Sequence, residues 1–241
     1  LTYVSPGVGK GIDATNAEQY EGGLKFELFD KKLRANLTYF DLTKTNVAVG
    51  DPNPRHNCGA QAPDPGSPSD CVIALGKVRS RGPEIDIQGE ILPGWNLIAT
   101  WTNLDIRAVE TNANGDTIAG VSPGGRMPSV SRNTGSFWST YEIQGGDFKG
   151  LTFGGGVNLT DSKLSSNEYN ASINVPGYIT ADLMAGYTRK FGDATVSLQF
   201  NVNNLLDKRY YSNRVNNNDF GFAFVDFGQP RTFTGQVSVQ Y

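Results

Sequence analysis

Few residues in this chain are arranged for covalent chemistry. His56 is the sole histidine. A catalytic reading would need a nucleophile or carboxylate partner within reach, and no Ser/His/Asp arrangement is recognisable. The only cysteines, Cys58 and Cys71, flank a segment rich in Pro, Asp, Gly and Ser, with no second pair or histidine at zinc-ligand spacing. Two cysteines closing one polar loop suggest a disulfide and an oxidising compartment; two free thiols are the alternative. Pro6-Gly-Val-Gly-Lys-Gly11 lacks the hydroxyl residue and the helix pattern that a phosphate-binding loop requires. Asn216-Asn-Asn-Asp219 lacks the ligand spacing of a calcium loop. Neither a catalytic nor a metal site is therefore expected. One concentration of side chains suits recognition instead. Tyr210, Tyr211, Phe220, Phe222, Phe224 and Phe227 surround a late polar segment, with Arg209 and Arg214 among them. Arg107 and Arg126 stand in or beside another polar segment.

The elements that must hold these residues follow a period of two. Nine segments alternate: Gln19–Phe29, Leu33–Val47, Val78–Leu92, Trp95–Ala108, Arg132–Ile143, Gly150–Asp161, Tyr178–Phe191, Ala194–Leu206 and Gln229–Tyr241. In the eighth, Val196, Leu198, Phe200 and Val202 oppose Ser197, Gln199, Asn201 and Asn203. Such alternation specifies strands. Two segments are less regular, because Tyr39-Phe40 breaks phase and Phe137-Trp138 puts aromatics on both faces.

The connections alternate as well. Asp30-Lys31-Lys32, Pro93-Gly94, Gln144–Lys149 and Gly192-Asp193 are short, whereas 48–77, 109–131, 162–177 and 207–228 are long. A meander barrel in a membrane produces this pattern, with short turns at one end and long loops at the other. A strand of about ten residues is long enough to cross the hydrocarbon layer when tilted. No apolar run approaches a membrane helix, and mean hydropathy is -0.37. Barrel strands hide their membrane signal by spending half their residues on a wet interior, so this value does not exclude them. Charged residues on the polar faces (Lys25, Glu27, Glu84, Asp86, Glu90, Asp182) argue for a wide, water-filled barrel. A net charge of -3 gives no footprint for nucleic acid. The fold expected is all-β, a transmembrane antiparallel meander β-barrel.

Specific motifs then carry a family resemblance. Gly228-Gln-Pro-Arg-Thr-Phe233 before an aromatic-ended strand resembles the end of TonB-dependent outer-membrane receptors. Asn201-Val-Asn-Asn-Leu-Leu-Asp-Lys-Arg-Tyr-Tyr211 is similar to their penultimate strand. Val78-Arg-Ser-Arg-Gly82-Pro-Glu84 with Pro93-Gly-Trp95, Pro176-Gly-Tyr178 with Asp182 and Tyr187, and Gln19-Tyr-Glu-Gly-Gly-Leu-Lys25 resemble three further signatures. Together they cover nearly the whole chain, and the siderophore-receptor branch that includes ferrichrome receptors is the best match.

The resemblance implies a 22-stranded barrel with a plugged lumen, of which residues 1–241 supply the C-terminal portion. On that reading 1–18 ends an extracellular loop and 19–241 hold the last nine strands. The plug, the energy-coupling box and the earlier strands lie outside this sequence. It further implies energy-coupled uptake of ferric siderophores across a bacterial outer membrane. The partners would be the siderophore, the plug and remaining barrel strands, the TonB complex through the coupling segment, and outer-membrane lipid. No cofactor is implied, since iron arrives as a chelate. A bulky, often anionic chelate suits rigid aromatics and cations. This makes Tyr211, Arg214, Phe220, Phe222, Phe224, Arg126, Arg107 and His56 the loop candidates for ligand contact. Arg231, Phe233 and Tyr241 would belong to the strand that closes the barrel. Another cargo such as cobalamin, haem or a saccharide is the first alternative. A passive porin and a barrel enzyme are more distant ones.

Overall fold

The computed structural model describes residues 14–50, 72–110, 121, 123–165, 173–217 and 223–241. The loop containing His56, Cys58 and Cys71, together with Phe220 and Phe222, lies outside the described residues.

The described chain is built of strands. These are β1 (Asn16–Leu28), β2 (Leu33–Gly50), β3 (Val72–Leu92), β4 (Trp95–Asn103), β5 (Asp105–Glu110), β6 (Asn133–Glu142), β7 (Leu151–Thr160), β8 (Lys163–Ser165), β9 (Ile173–Val175), β10 (Tyr178–Phe191), β11 (Ala194–Asn203), β12 (Tyr211–Asn217), β13 (Ala223–Phe227) and β14 (Thr232–Gln240). One antiparallel sheet runs β1-β2-β3-β4-β6-β7-β10-β11-β14, with β5 also paired to β3. Each strand lies beside the next long one, so all nine expected segments form and join as a meander.

The register converts the alternation of each segment into two continuous faces. Leu28, Leu33, Gly89, Leu97, Ser139, Gly155, Leu183, Val202 and Phe233 form one row across all nine strands. Lys25, Asn36, Asp86, Thr100, Ser136, Asn158 and Thr180 form a row on the opposite face, where the Thr100 and Ser136 hydroxyls are hydrogen-bonded at 2.9 Å. A one-residue slip anywhere would invert a strand. Among the described residues the only buried hydrophobic ones are Leu33, Ala108, Val121 and Val175, whereas Leu183, Leu198, Phe200 and Phe233 are all exposed. A water-soluble sheet would pack its apolar face against a second layer. Here that face is bare and belongs against lipid.

The short turns lie at one end. Phe29, Asp30 and Lys31 take successive positive φ values of 53°, 54° and 67°, closed by the Lys32 amide donating to the Phe29 carbonyl at 3.1 Å. Gly94, at φ 80°, makes the next tight turn.

Three expectations need correction. The first strand starts at Asn16 rather than Gln19. The fourth is not continuous to Ala108 but is interrupted at Leu104. There the Leu104 amide donates to the Arg132 carbonyl at 2.7 Å, and a strap at 124–132 takes the edge that β6 occupies lower down. Finally, two of the long connections carry hairpins of their own, β8–β9 and β12–β13. Their pairing is too short to impose a period on the sequence.

Candidate functional site at the long-loop end

At the long-loop end of β10 and β11 a polar joint sets the chain's path. Asp182 accepts the Asn204 amide at 2.7 Å and the Asn158 side-chain amide at 3.0 Å. Asn204 is 4% exposed and holds φ at 51°, a left-handed conformation that asparagine tolerates better than most residues. Its side chain donates to the carbonyls of Lys208 and Gln229, at 2.9 and 3.0 Å, and accepts the Lys208 amide at 2.9 Å. Three residues on, Asp207 receives the Arg231 amide at 3.0 Å. The Asn-Leu-Leu-Asp stretch is therefore a clasp that joins the end of β11 to the start of β14 across the whole loop between them. Tyr210 stacks on Tyr178 beside it, with ring centroids 4.0 Å apart. Burial pushes the Tyr210 hydroxyl above the ordinary phenol range.

Beyond this joint the loops fasten to one another. The Ser129 amide donates to the Leu164 carbonyl, and the buried Lys163 donates through Nζ to the Ser212 carbonyl at 3.2 Å. Burial holds the Lys163 ammonium below the usual lysine range. The strap at 124–132, the β8–β9 hairpin and the β12–β13 hairpin thus form one connected rim. Of the expected contact residues, Tyr211 lies in this rim, half-exposed and packed against Phe227 at 5.4 Å between centroids. Arg214 and Phe224 are in the same hairpin.

Arg126 lies in the strap and Arg107 in β5. The register sets Arg107 opposite Arg79, on the face that lower down carries Ile85 and Trp101. Arg126 forms a bridge with Arg107. Both side chains close on Asp105, Arg107 through Nε at 2.9 Å and Arg126 through Nε at 3.5 Å. Arg107, Arg126 and Arg132 hold the Asp105 carboxyl below its ordinary range, the hydrogen bond from Arg107 being the largest cause. Asp105 is the carboxylate partner that the structure gives both arginines. At the other end of the sheet, Arg231 precedes β14, Phe233 stacks on Phe200 at 6.2 Å, and Tyr241 follows β14 almost fully exposed. Among the described residues β14 pairs with β11 alone.

Sequence reasoning named Asp182 as a charge on a polar strand face and as part of a resemblance, and the Asn-Leu-Leu-Asp stretch as a resemblance alone; it missed Lys163 and Asp105. The pair Asn203-Asn204 at the end of β11 does signal a left-handed residue. A three-residue strand around Lys163 leaves no comparable mark. No group of carboxylate, cysteine and histidine side chains able to hold a metal occurs among the described residues. The arrangement offers walls, a rim and donors for recognition.

Comparison with known proteins agrees with that geometry. The metal-pseudopaline receptor CntO of Pseudomonas aeruginosa is 28% identical over 233 residues, spanning 97% of this chain and 29% of that protein. The ferric-pyoverdine 358 receptor of Pseudomonas putida is 28% identical over 237 residues, spanning 97% and 25%. The ferripyoverdine receptor of the outer membrane of Pseudomonas aeruginosa superimposes with a TM-score of 0.69 at 26% identity, over 95% of this chain and 28% of that one. BauA, the ferric preacinetobactin receptor of Acinetobacter baumannii, has the same fold, with a TM-score of 0.71 at 23% identity over 99% and 32%. The chain thus spans less than a third of the length of these relatives. Residues 2–205 match the family model described as TonB dependent receptor-like, beta-barrel. A lipid-facing meander with its long loops tied at one end is the architecture these proteins share, and the chain belongs to the TonB-dependent receptor β-barrel family of the bacterial outer membrane.

Proposed function

We propose that this chain is the C-terminal wall and outer rim of an outer-membrane receptor that takes up ferric siderophores. The observation that carries the reading is the continuous polar face that backs the bare apolar one across the sheet. It is a wet lumen wall, in a chain whose relatives include receptors named for ferric pyoverdines and ferrioxamine B. The rim formed by the strap and the two hairpins meets the chelate from outside. Of the eight loop candidates, Tyr211, with its ring packed on Phe227, is the one whose described setting best fits an aromatic contact. A plug seated against the polar face, and a coupling segment that engages the TonB complex, complete the transport cycle in the remainder of the receptor. No resident cofactor is required, because the iron is cargo. Metal-pseudopaline recognition by one relative supports a second reading, in which the chelate carries a metal other than iron.

The test is growth and radiolabelled metal uptake by a deletion strain, supplied in turn with hydroxamate, catecholate and mixed ferric siderophores. Loss of uptake for one class, restored by the intact gene, is the expected result. Unchanged uptake of every ferric chelate would overturn the siderophore reading.

A further inference from the structure

The lumen face carries an apolar interruption at mid-wall. On it Ile98 of β4 stands opposite Trp138 of β6, and Trp138 in turn faces Gly156 of β7. Met184 of β10 faces Gly154, two residues back along β7. A Cβ at Gly156 would collide with the Trp138 ring, and one at Gly154 would lie 3.3 Å from Met184 Cε. The indole and the thioether thus spread over bare backbone, and Ile98 beside them is 50% exposed. The adjacent row of the same face is polar, with Asn36, Thr100, Ser136 and Asn158. Apolar side chains set among amides and hydroxyls on an open wall mark a place of contact.

The row that holds this patch connects the two ends of the wall. It runs Asp182, Gly156, Trp138, Ile98, Gln88, Arg34. Strands tilt in a barrel, so a row perpendicular to them descends. This one starts at the joint between Asp182 and Asn204 and ends beside the short turn at Asp30. At the lower end Lys31, Lys32, Arg34, Gln88, Asn96 and Ile98 line a recess of about 360 Å³. Glu27 lies 3.9 Å from Lys31 and 3.7 Å from Arg34, and Glu90 lies 3.4 Å from Lys32. Glu90 also accepts the Gly94 amide at 2.8 Å. Three exposed cations therefore share two carboxylates. One row away, Lys25 and Asp86 add a charge of each sign and leave the surplus positive. From Arg34 to Trp138 is three interstrand steps, about 14 Å.

We propose that this row is a contact track for the chelate inside the lumen, built for an anionic chelate with aryl faces, a ferric catecholate. An aryl ring packs on Trp138 and Ile98, and the negative charge lies toward Lys31, Lys32 and Arg34. A ferric hydroxamate core is neutral and has no aryl ring, so it gains neither contact. The proposal rests on the siderophore reading and adds to it a chemical class and an internal site.

The test uses the whole receptor in the deletion strain, at outer-membrane levels matched by immunoblot. Radiolabelled iron is supplied as a ferric tris-catecholate or as a ferric tris-hydroxamate of similar size. In Trp138→Leu the maximal rate of catecholate uptake should fall about fivefold, the worth of an aromatic contact. The concentration for half-maximal surface binding should not move, since the rim is untouched. Trp138→Phe restores a ring and should recover most of the rate, and hydroxamate uptake should fall much less. Lys31→Gln with Arg34→Gln should slow the catecholate several-fold with the apolar patch whole, which serves if the Trp138 variants fail to assemble. Equal slowing of both chelates by Trp138→Leu, as a purely structural indole would give, would overturn the proposal. So would Trp138→Phe no faster than Trp138→Leu, or a wild-type receptor that takes up the hydroxamate and no catecholate. Uptake of neither chelate by the wild type would instead sink the siderophore reading itself.

Discussion

Tyr210 lies on Tyr178 with the two rings 29° from parallel, in a space that exists because residue 228 has no side chain. A Cβ at Gly228 would come within 2.1 Å of the Tyr210 ring, and the Gly228 amide donates to the Tyr210 carbonyl at 2.8 Å. The Gly228→Ala receptor must therefore either unstack the tyrosines or shift the entry to β14. Overpacking of this kind costs about 1–3 kcal/mol. The expected outcome is a lower urea midpoint together with increased exposure of the tyrosine rings in near-ultraviolet circular dichroism. Unchanged values for both would refute the assigned role of Gly228.

Asn204 combines two functions that substitution can separate. Asn204→Gly keeps the left-handed backbone and loses the three side-chain hydrogen bonds, whereas Asn204→Ala loses both. The Ala variant should be less stable than the Gly variant by about 1–2 kcal/mol, the left-handed penalty of a non-glycine residue. Both should fall below wild type, because two carbonyls and one amide lose their partner. Chemical unfolding of the three receptors orders them. If Ala and Gly were equal, the strained φ would carry no weight.

How far the sequence discloses this architecture depends on the range of the interaction concerned. Val196, Leu198, Phe200 and Val202 announce both a strand and its lipid-facing side, because period two is a local property that burial on one face enforces. The Gly192-Asp193 turn is equally local. The outward placement of Arg107 is not. It depends on the phase of β3 and β4, maintained past the interruption at Leu104, and a polar segment beginning near residue 109 hides that continuity. Arg126 reaches Asp105 only when the strap folds back along β5, a contact across 21 positions that no pattern in residues 121–131 encodes. Lys163 is similar: its partner is the carbonyl of Ser212, which any residue could supply. Resemblance located Asn204 and Asp182, but their reason is the clasp between β11 and β14.

The strap gives a pH dependence with a defined sign. Asp105 is held below the ordinary carboxylate range, chiefly by its hydrogen bond from Arg107 and then by the charges of Arg107, Arg126 and Arg132. A carboxyl whose folded pKa is depressed binds fewer protons folded than unfolded. Its contribution is therefore fully present above the unfolded value of about 3.9 and lost as pH falls through the lower folded value. Backbone amides of Ala108 and Met127, which bond across the strap to Gly125 and Ile106, should keep their exchange protection at pH 5. They should lose it, relative to β4 amides, as pH falls below about 3.9. In the Asp105→Asn receptor the strap should be less protected at pH 7, and its protection relative to β4 should no longer follow this titration. A wild-type strap that opened between pH 7 and 5 would contradict the assignment.

The sharpest test of the fold compares two positions on neighbouring strands. Leu183 lies in the apolar row that crosses all nine strands, and Gln199 lies on the other face of β11, opposite Gly186. Both are near mid-strand, so intrinsic strand propensity affects them alike. An arginine at position 183 would enter the hydrocarbon, where it costs about 2–4 kcal/mol near the midplane. An arginine at position 199 would enter a wet interior beside Asn201, whose side chain already accepts a hydrogen bond from Gln199 at 2.9 Å. Its cost should remain within about 0.5 kcal/mol, as for a surface substitution. Unfolding of Leu183→Arg and Gln199→Arg receptors reconstituted in lipid should therefore separate them widely. In water-soluble protein with this same face packed on a core, the Leu183 change would also be costly, but adding lipid would leave that cost unaltered. Here the penalty should deepen as the bilayer thickens and carries the substituted position further from either interface. A penalty at 183 independent of bilayer thickness, or a larger one at 199, would mean that the two faces had been assigned the wrong way round.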